Sequence, residues 1–198
     1  EEKKLIASAL LINNPTVELL INKKEKTEKF SPYKMGLYPN MKETFEVLQI
    51  KQLTVNNSNI EIKGDNAQKL NHVNLKADGL LLDKNTDSSK KMFGCDNIYL
   101  EINNIGNKTQ DGFYNYNIGK ATINSNGDFS LTGVSLTPAY PEKEFNQKKK
   151  YQEDCYKINN IDCQGSGLNI DTFLETNEVM ASNINIQFDK VEIYRNNT

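Results

Sequence analysis

The sequence predicts an all-β protein: an elongated antiparallel β-meander of serial hairpins with two or three short helices. Three observations lead to this fold class. Apolar and polar residues alternate along most of the chain, which is the period of a half-buried strand. Pairs of alternating apolar residues recur on either side of four mostly polar residues. Helical spacing of apolar residues is confined to short segments.

The four-residue interruptions predict hairpins, because a two-residue loop and one flanking pair together occupy four positions. In one example, Leu53 and Val55 precede the interruption, and Ile60 and Ile62 follow it. A turn there sets Val55 opposite Ile60, and cross-strand partners share a face of the sheet. Five such turns are predicted, at residues 13–16, 56–59, 76–79, 164–167 and 187–190. The resulting meander has one apolar face and one polar face.

The remaining segments are predicted from turn residues and local spacing. Ala121 and Ile123 face Leu131 and Phe129 across a three-residue loop that ends in Gly127. Alternation predicts strands at 98–102 and 114–118, joined by a long loop, and a short strand at 134–137. Short helices are expected at 39–48 and 142–153, with a helical turn at 171–176. Residues 23–29 and 83–91 are predicted to be polar connections, and the strands number about a dozen in all.

An amphipathic sheet of this length needs cover for its apolar face, and these helices are too few and too charged to supply it. The sheet can fold onto a second sheet, close into a barrel, or curl into a groove or half-open sandwich around an apolar ligand. Composition does not choose among these arrangements. The whole chain, 1–198, is predicted to form a single β domain.

Composition and charge argue against several classes of function. The formal net charge of −2 gives no field to attract nucleic acid or anionic headgroups. No apolar run approaches the roughly 20 residues that span a bilayer. The three cysteines do not predict a disulfide framework. Cys155 and Cys163 lie eight positions apart on one extended segment, about 26 Å, so they are expected to be free thiols.

No constellation of catalytic or metal-binding residues is recognisable. His72 is the single histidine, and the cysteines lack the spacing of a zinc site. The segment from Asp83 imitates the start of a calcium loop but has Ser88 and Gly94 where that loop needs Gly and Glu. Phosphate loops, nucleophile elbows and paired acid–base carboxylates are not found either. The expectation is therefore a protein that is not an enzyme and uses no cofactor.

Several segments of the second half resemble a known family when read in order. They are VNLKADGLLL at 73–82, FGCDNIYLEI at 93–102, GFYNYNIGKATI at 112–123, FSLTGVSLTP at 129–138 and the closing MASNINIQFDKVEIYRN. Together they resemble the AsmA-like envelope proteins of Gram-negative bacteria, which are repeating β-groove proteins. The likeness covers most of the chain in pattern and strand order, with diffuse signatures and no catalytic fingerprint.

The resemblance implies a function in the cell envelope. Members of that family are tethered to the inner membrane by an N-terminal helix and project into the periplasm. Their β-groove is thought to hold or conduct phospholipid acyl chains and to support outer-membrane assembly. The chain is then expected to be a periplasmic fragment of a longer, membrane-anchored protein with phospholipid and unidentified envelope proteins as partners. Free cysteines are in mild tension with that compartment.

Twelve apolar residues are the predicted lining of such a groove. They come from the alternating pairs of the first half of the chain: Leu10, Ile12, Val17, Leu19, Leu53, Val55, Ile60, Ile62, Val73, Leu75, Leu80 and Leu82. The same residues would also line an ordinary sandwich core. A second hypothesis is therefore a surface or secreted β-sandwich module that binds glycan or protein through its loops, with a hydrolase a distant third.

Overall fold

The protein forms an open, mostly antiparallel sheet of nine strands in a computed structural model, so the predicted all-β class is confirmed. The structure describes residues 3–20, 38, 41–63, 68–86, 92–149, 154–176 and 178–194. Strands occupy 66% of the described residues, two short helices accompany them, and the sheet does not close into a barrel.

The strands follow one another across the sheet almost in sequence order. They are β1 (Lys4–Asn13), β2 (Thr16–Leu20), β3 (Val47–Lys63), β4 (Gln68–Leu82), β5 (Asn97–Lys108), β6 (Tyr114–Asn124), β7 (Phe129–Pro138), β8 (Cys155–Ser166) and β9 (Asn183–Tyr194). The helices are α1 (Glu142–Lys148) and α2 (Ile170–Thr176). From β3 to β9 every strand is antiparallel to the next, which is the predicted meander.

The positions predicted for the five turns are wrong. Residues 56–59 lie inside β3, 76–79 inside β4 and 187–190 inside β9. Residues 164–167 take β8 to its end at Ser166, and α2 rather than a returning strand follows. Residues 13–16 join β1 to β2, which run in line along β3 and not beside each other. Three of the interruptions therefore fall within long strands, and the described residues form nine strands and not about a dozen.

At eight places in the sheet, among them the interruptions at 13–16, 56–59 and 187–190, two consecutive side chains point to the same, polar face. In β3, Asn56 Nδ2 donates to Asn13 Oδ1 at 3.1 Å, and Asn57 Nδ2 donates to Asn14 Oδ1 at 2.7 Å. Because Asn56 and Asn57 both point to the polar face, alternation restarts one residue later, and Ser58 returns to the apolar face opposite Val73. An extra outward residue inside a strand therefore leaves the same sequence pattern as a hairpin loop.

These pairs, which we call the outward doublets, form a line across the whole sheet. They are Asn13–Asn14, Asn56–Asn57, Asn71–His72, Asn103–Asn104, Gly119–Lys120, Thr132–Gly133, Asn159–Asn160 and Asp189–Lys190. Six of these eight doublets contain a residue with positive φ, between 52° and 64°. Those residues are Asn14, Asn57, His72, Asn104, Gly133 and Asn160, types that adopt the left-handed region more readily than others.

The first strands pair in the opposite sense to the prediction. Leu10 lies opposite Leu53 and Val17 opposite Ile60 in parallel register with β3. Parallel neighbours need a connection of a dozen or more residues, and 26 residues of sequence separate β2 from β3. Hydrophobic alternation determines which face a residue lies on but carries no information about strand direction. The parallel pairing of β1 and β2 with β3 could therefore not be predicted from alternation.

Other predictions fared better. Ala121 lies opposite Leu131 and Ile123 opposite Phe129, as predicted. The helical turn at 171–176 is confirmed as α2, and the strands at 98–102 and 114–118 are confirmed within the longer β5 and β6. The strand at 134–137 is the end of β7 and not separate. At 39–48 the described residues make one helical turn, in which the N–H of Phe45 donates to Met41 O at 2.9 Å, before β3 begins. Helix α1 ends at Lys148; residues 23–29, 87–91 and 150–153 lie outside the described part.

The best-packed region, which we call the covered core, lies at one corner of the apolar face. Ile50 and Ala77 are 2% and 3% exposed, and Leu80, Leu82 and Cys95 pack with them. Two side chains from outside the sheet, Met41 and Phe93, pack against this cluster. Partly buried apolar side chains of the surrounding strands pack against it as well. Burial in this corner therefore depends on two connections that lie over the end of β3 and β4.

Candidate functional site

Beyond the covered core, the apolar side chains form an extensive surface that we call the open face. Opposite partners put these side chains in rows that cross the strands. One row runs through Val55, Leu75, Leu100, Ile123 and Phe129. The next row runs through Val73, Ile102, Ala121, Leu131, Cys163 and Ile186. Beyond the doublets, a third row contains Ile105, Ile118, Val134, Ile161 and Phe188, so the apolar surface continues on both sides of that line.

Exposure of the open face increases towards the edges of the sheet. Side chains in the middle, such as Leu100 and Ile123, are half-buried by their neighbours alone. On edge strand β9, Ile184, Ile186 and Phe188 are 49%, 54% and 63% exposed. The sheet is large: β9 extends for about 40 Å, and eight strands side by side span about 34 Å. Contiguous apolar surface of this size is rare on soluble proteins unless something binds to it.

Most of the predicted groove-lining residues lie on this apolar side. Leu10, Ile12, Val17, Leu53, Val55, Ile60, Ile62 and Leu75 occupy the strands nearest the first edge, and Val73 is 3% exposed. Leu80 and Leu82 lie instead in the covered core, at 8% and 7% exposed. Leu19 has Ile62 as its register partner, and its side chain is outside the described residues.

Half of the open face was missed because the predicted lining ended at residue 82. Strands β5 to β9 contribute the same kind of residue in the same alternation. The missed residues are Leu100, Ile102, Ile105, Ile118, Ala121, Ile123, Phe129, Leu131, Val134, Leu136, Ile158, Ile161, Cys163, Ile184, Ile186, Phe188, Val191 and Ile193. The alternation that identified the first half was present in the second half as well.

The opposite, polar face has an ionic network at its centre. Lys120 Nζ lies 2.7 Å from Glu101 Oε2, and the side-chain amides of Asn74 and Asn103 both donate to Glu101 Oε1 at 3.1 Å. The hydrogen bond from Lys120, helped by the amide of Asn103, lowers the pKa of Glu101 to about 2. The same hydrogen bond raises the pKa of Lys120. Three neighbouring strands are thereby linked on the side that faces away from the apolar rows.

A second cluster lies where α1 meets the sheet. Phe145 is fully buried, with its ring 5.3 Å from that of Phe113 and 5.4 Å from that of Tyr114. Cys155, 1% exposed, starts β8 nearby, and burial raises the pKa of its thiol. A buried thiol with a raised pKa is a poor nucleophile, so this cluster is structural.

The described residues hold no group of three or more His, Cys, Asp or Glu side chains that could bind a metal ion. The ring of the exposed His72 donates from Nδ1 to Asn57 Oδ1 at 2.6 Å, which places it among the doublets, inside β4. The three thiols at Cys95, Cys155 and Cys163 are free, as predicted. None of the helices in the described ranges is long and apolar enough to cross a membrane.

The polar face also has a shallow depression of about 650 Å³. Its lining combines Tyr99 with hydroxyl and amide side chains of β6 to β9, including Thr122, Gln164 and Asn185. No buried side-chain polar atom of the described residues lacks a hydrogen-bond partner. The open face is therefore the stronger candidate site.

Comparison with known proteins returned no relative from which function can be transferred. No protein-family model matches the chain, and neither a curated protein nor a solved structure matches it.

Proposed function

We propose that this protein is a non-enzymatic lipid-holding protein whose open face binds the acyl chains of phospholipids. The observation that carries the proposal is the open face itself, where strands β3 to β9 present rows of aliphatic side chains that no other described segment covers.

The chemistry of that face favours an acyl chain over a protein partner. Protein interfaces are only about 57% apolar and contain roughly one hydrogen bond per 100–200 Å². The rows of the open face offer aliphatic and aromatic groups, while the charged groups of Glu101 and Lys120 lie on the other side of the sheet. An acyl chain needs no directional partner and gains about 0.8 kcal/mol for each buried methylene. A single leaflet of hydrocarbon is about 15 Å deep, so a strand of about 40 Å offers ample length.

The proposal extends to the AsmA-like type of envelope protein that the sequence resembles. On that view the chain acts in the periplasm, tethered to the inner membrane, and supports outer-membrane assembly by holding or conducting phospholipid. The supporting features are the uncovered apolar side of an open β-sheet and the serial strand order, both of which suit a repeating β-groove.

Photocrosslinking tests the proposal at the level of single faces. Benzoylphenylalanine is introduced at Leu100, in the open face, or at the neighbouring Tyr99, on the polar face. Each variant is mixed with vesicles of phosphatidylcholine carrying a radiolabelled acyl chain and then irradiated. We expect labelled lipid on the Leu100 variant at several times the level found on the Tyr99 variant.

Equal labelling at both positions, or none at Leu100 in a variant with an unchanged circular dichroism spectrum, contradicts the proposal. A parallel glycan-array measurement addresses the second hypothesis of a glycan-binding module. Sugar binding that is lost in Tyr99→Ala, together with an unlabelled Leu100 variant, would favour the depression on the polar face as the functional site.

A further inference from the structure

Strand β9 ends the sheet with its outer side unpaired by any described strand. It is twelve residues long and runs its whole length beside β8, from the pair Ser166–Asn183 to the pair Cys155–Tyr194. A long edge strand of this kind exposes a row of backbone N–H and C=O groups that can pair with another chain. Proteins usually protect such edges, so the partner that fits β9 is worth identifying.

Neighbouring antiparallel strands of this sheet repeatedly set doublet opposite doublet. Asn103 pairs with Lys120, and Lys120 with Thr132. At the last interface, Asn159 pairs with Lys190, so that Asn160 faces Asp189 and donates to it at 2.5 Å. At the β3–β4 and β7–β8 interfaces the doublets are offset instead, and the register shifts at those points.

The facing arrangement seen at the β5–β6, β6–β7 and β8–β9 interfaces offers one register in which β9 can meet an antiparallel copy of itself. In that register its doublet, Asp189–Lys190, faces the doublet of the second copy. Asp189 then lies opposite Lys190 of that copy, and Lys190 opposite its Asp189. Opposite charges directly across a ladder are stabilising, whereas like charges are destabilising. The Lys190 side chain is 67% exposed in the single chain, where its Nζ forms an ion pair with Glu192 of the same strand, so the pair across the two copies competes with that contact.

The apolar residues match in that register as well. Phe188 faces Val191 of the second copy, and Ile186 faces its Ile193. These side chains are between 44% and 63% exposed in the single chain. If the antiparallel register shifts by a few residues from this one, either only half of the strand is paired or apolar residues lie opposite polar ones. The edge is therefore complementary to itself in charge, in apolar pairing and in the position of the doublet.

We propose that β9 pairs with β9 of a second copy of this chain, which gives a symmetric dimer with one continuous sheet and one continuous apolar face. The contact is isologous, so it closes at two copies and leaves no β9 edge free for growth. The opposite edge fits less well, because β1 and β2 are interrupted by Pro15, which has no N–H to donate, and by two uncharged residues, Asn13 and Asn14. This inference goes beyond lipid binding and does not depend on it.

Charge reversal combined with analytical ultracentrifugation tests the dimer. The 198-residue chain has a mass of 22.5 kDa, and we expect the mean mass to double across a concentration series. Asp189→Lys and Lys190→Asp each place two like-charged pairs across the two-fold axis and are expected to weaken dimerisation at least tenfold. The double variant D189K/K190D restores both opposite pairs and is expected to recover most of the wild-type affinity.

Lys76→Asp is the matched control, because Lys76 is exposed on the interior strand β4 and its reversal is expected to leave the dimer unchanged. A constant mass of 22.5 kDa at every concentration overturns the proposal. It is overturned equally if the double variant is no tighter than the single variants. Hydrogen exchange provides a second measurement: amides of β9 should gain protection as concentration rises, and a gain confined to β1 would assign the contact to the wrong edge.

Discussion

The covered core and edge strand β9 have the same alternation of apolar residues, but these residues are buried in the covered core and exposed on β9. Ile50, in the covered core, is 2% exposed, whereas Ile186, on β9, is 54% exposed. Both belong to one sheet and lie on its apolar side. The difference comes from outside the strands, because Met41 and Phe93 pack against the first region and no described segment covers the second. Strand pattern alone therefore decides which face is apolar but not whether that face is buried.

The open region must be held together without a deep core. Its half-buried side chains gain only part of the 1.5–3 kcal/mol that a fully buried aliphatic side chain contributes. Backbone ladders of long strands and the network around Glu101 supply the remaining order. A sheet with three or more strands and one apolar face can be stable with these contributions alone. Its apolar face then stays available for binding.

Thiol labelling gives the largest expected contrast between the two regions. Cys95 belongs to the covered core at 6% exposed, whereas Cys163 is half-buried in the open face. We expect N-ethylmaleimide to modify Cys163 at least about 100-fold faster than Cys95, since a buried thiol reacts only through local opening and each 1.4 kcal/mol of opening free energy slows labelling tenfold. Peptide mass spectrometry over time measures both rates.

Cys155 is an internal control in the same experiment, because it is 1% exposed and burial raises the pKa of its thiol. It should remain as protected as Cys95 until urea unfolds the chain. Comparable labelling of Cys95 and Cys163 would mean that the covered core opens as readily as the open face, and the distinction between the two regions would fail.

Truncation of apolar side chains tests the same distinction through stability. Ile50→Ala is expected to lower the free energy of unfolding by about 2–5 kcal/mol, because it leaves a cavity in a packed cluster. Leu10→Ala removes a side chain that is already 39% exposed and should cost about 1 kcal/mol. Urea unfolding followed by circular dichroism measures both variants. Equal losses would show that the open face is packed as tightly as the covered core.

Sequence analysis predicted the fold class and the two-faced character of the sheet because both depend on local alternation. It also predicted the pairing of Ala121 with Leu131, since Gly127 marks the short loop between β6 and β7. It failed at 13–16, 56–59 and 187–190 because an outward doublet and a hairpin loop shift the alternation by the same amount. The distinguishing signal was present: Asn-Asn recurs at 13–14, 56–57, 103–104 and 159–160, and Asn tolerates the left-handed backbone that a doublet needs.

The candidate site was only partly predictable for a different reason. Leu80 and Leu100 have the same alternation, but Leu80 is buried in the covered core and Leu100 is half-buried in the open face. That difference depends on where Phe93 and Met41 lie in three dimensions. Contacts between distant segments produce no periodic pattern in the sequence. The sequence therefore predicts the apolar face but not which part of that face stays uncovered.

Substitution at a doublet tests what holds the open region where packing is weak. Asn104 has a φ of 56° and an exposed side chain in the middle of β5. Asn104→Ala is expected to cost about 1–2 kcal/mol, because alanine resists the left-handed region. Asn104→Gly should stay within about 0.5–1 kcal/mol of wild type, since glycine accepts that backbone. Chemical unfolding measures both.

Asn115→Ala is the control, because Asn115 is exposed on β6 and is not among the positive-φ residues. It should change stability by no more than about 0.5 kcal/mol. If Asn104→Ala were as mild as Asn115→Ala, the doublets would be passive irregularities and not features that the sheet depends on.

Removing the polar network around Glu101 should have the smallest effect on the free energy of unfolding. The pH dependence of that effect distinguishes it from a loss of packing. The pKa of Glu101 falls from 4.5 to about 2 in the folded protein, so between these values the unfolded chain binds more protons and acid favours unfolding. Glu101→Gln should lose about 1 kcal/mol at pH 7 and only a small part of that near pH 2, where about half of the folded-state carboxylate is protonated. Urea unfolding from pH 7 to pH 2 measures the difference.

Glu192, on edge strand β9, also has a pKa of about 2, owing to Lys190 and Tyr194 of the same strand. Glu192 and its partners, which include Lys157 of β8 at 3.7 Å, lie at the exposed edge of the sheet, so moderate salt should abolish the effect of Glu192→Gln and only reduce that of Glu101→Gln. Equal salt sensitivity would mean that the centre of the polar face is as solvated as the edge.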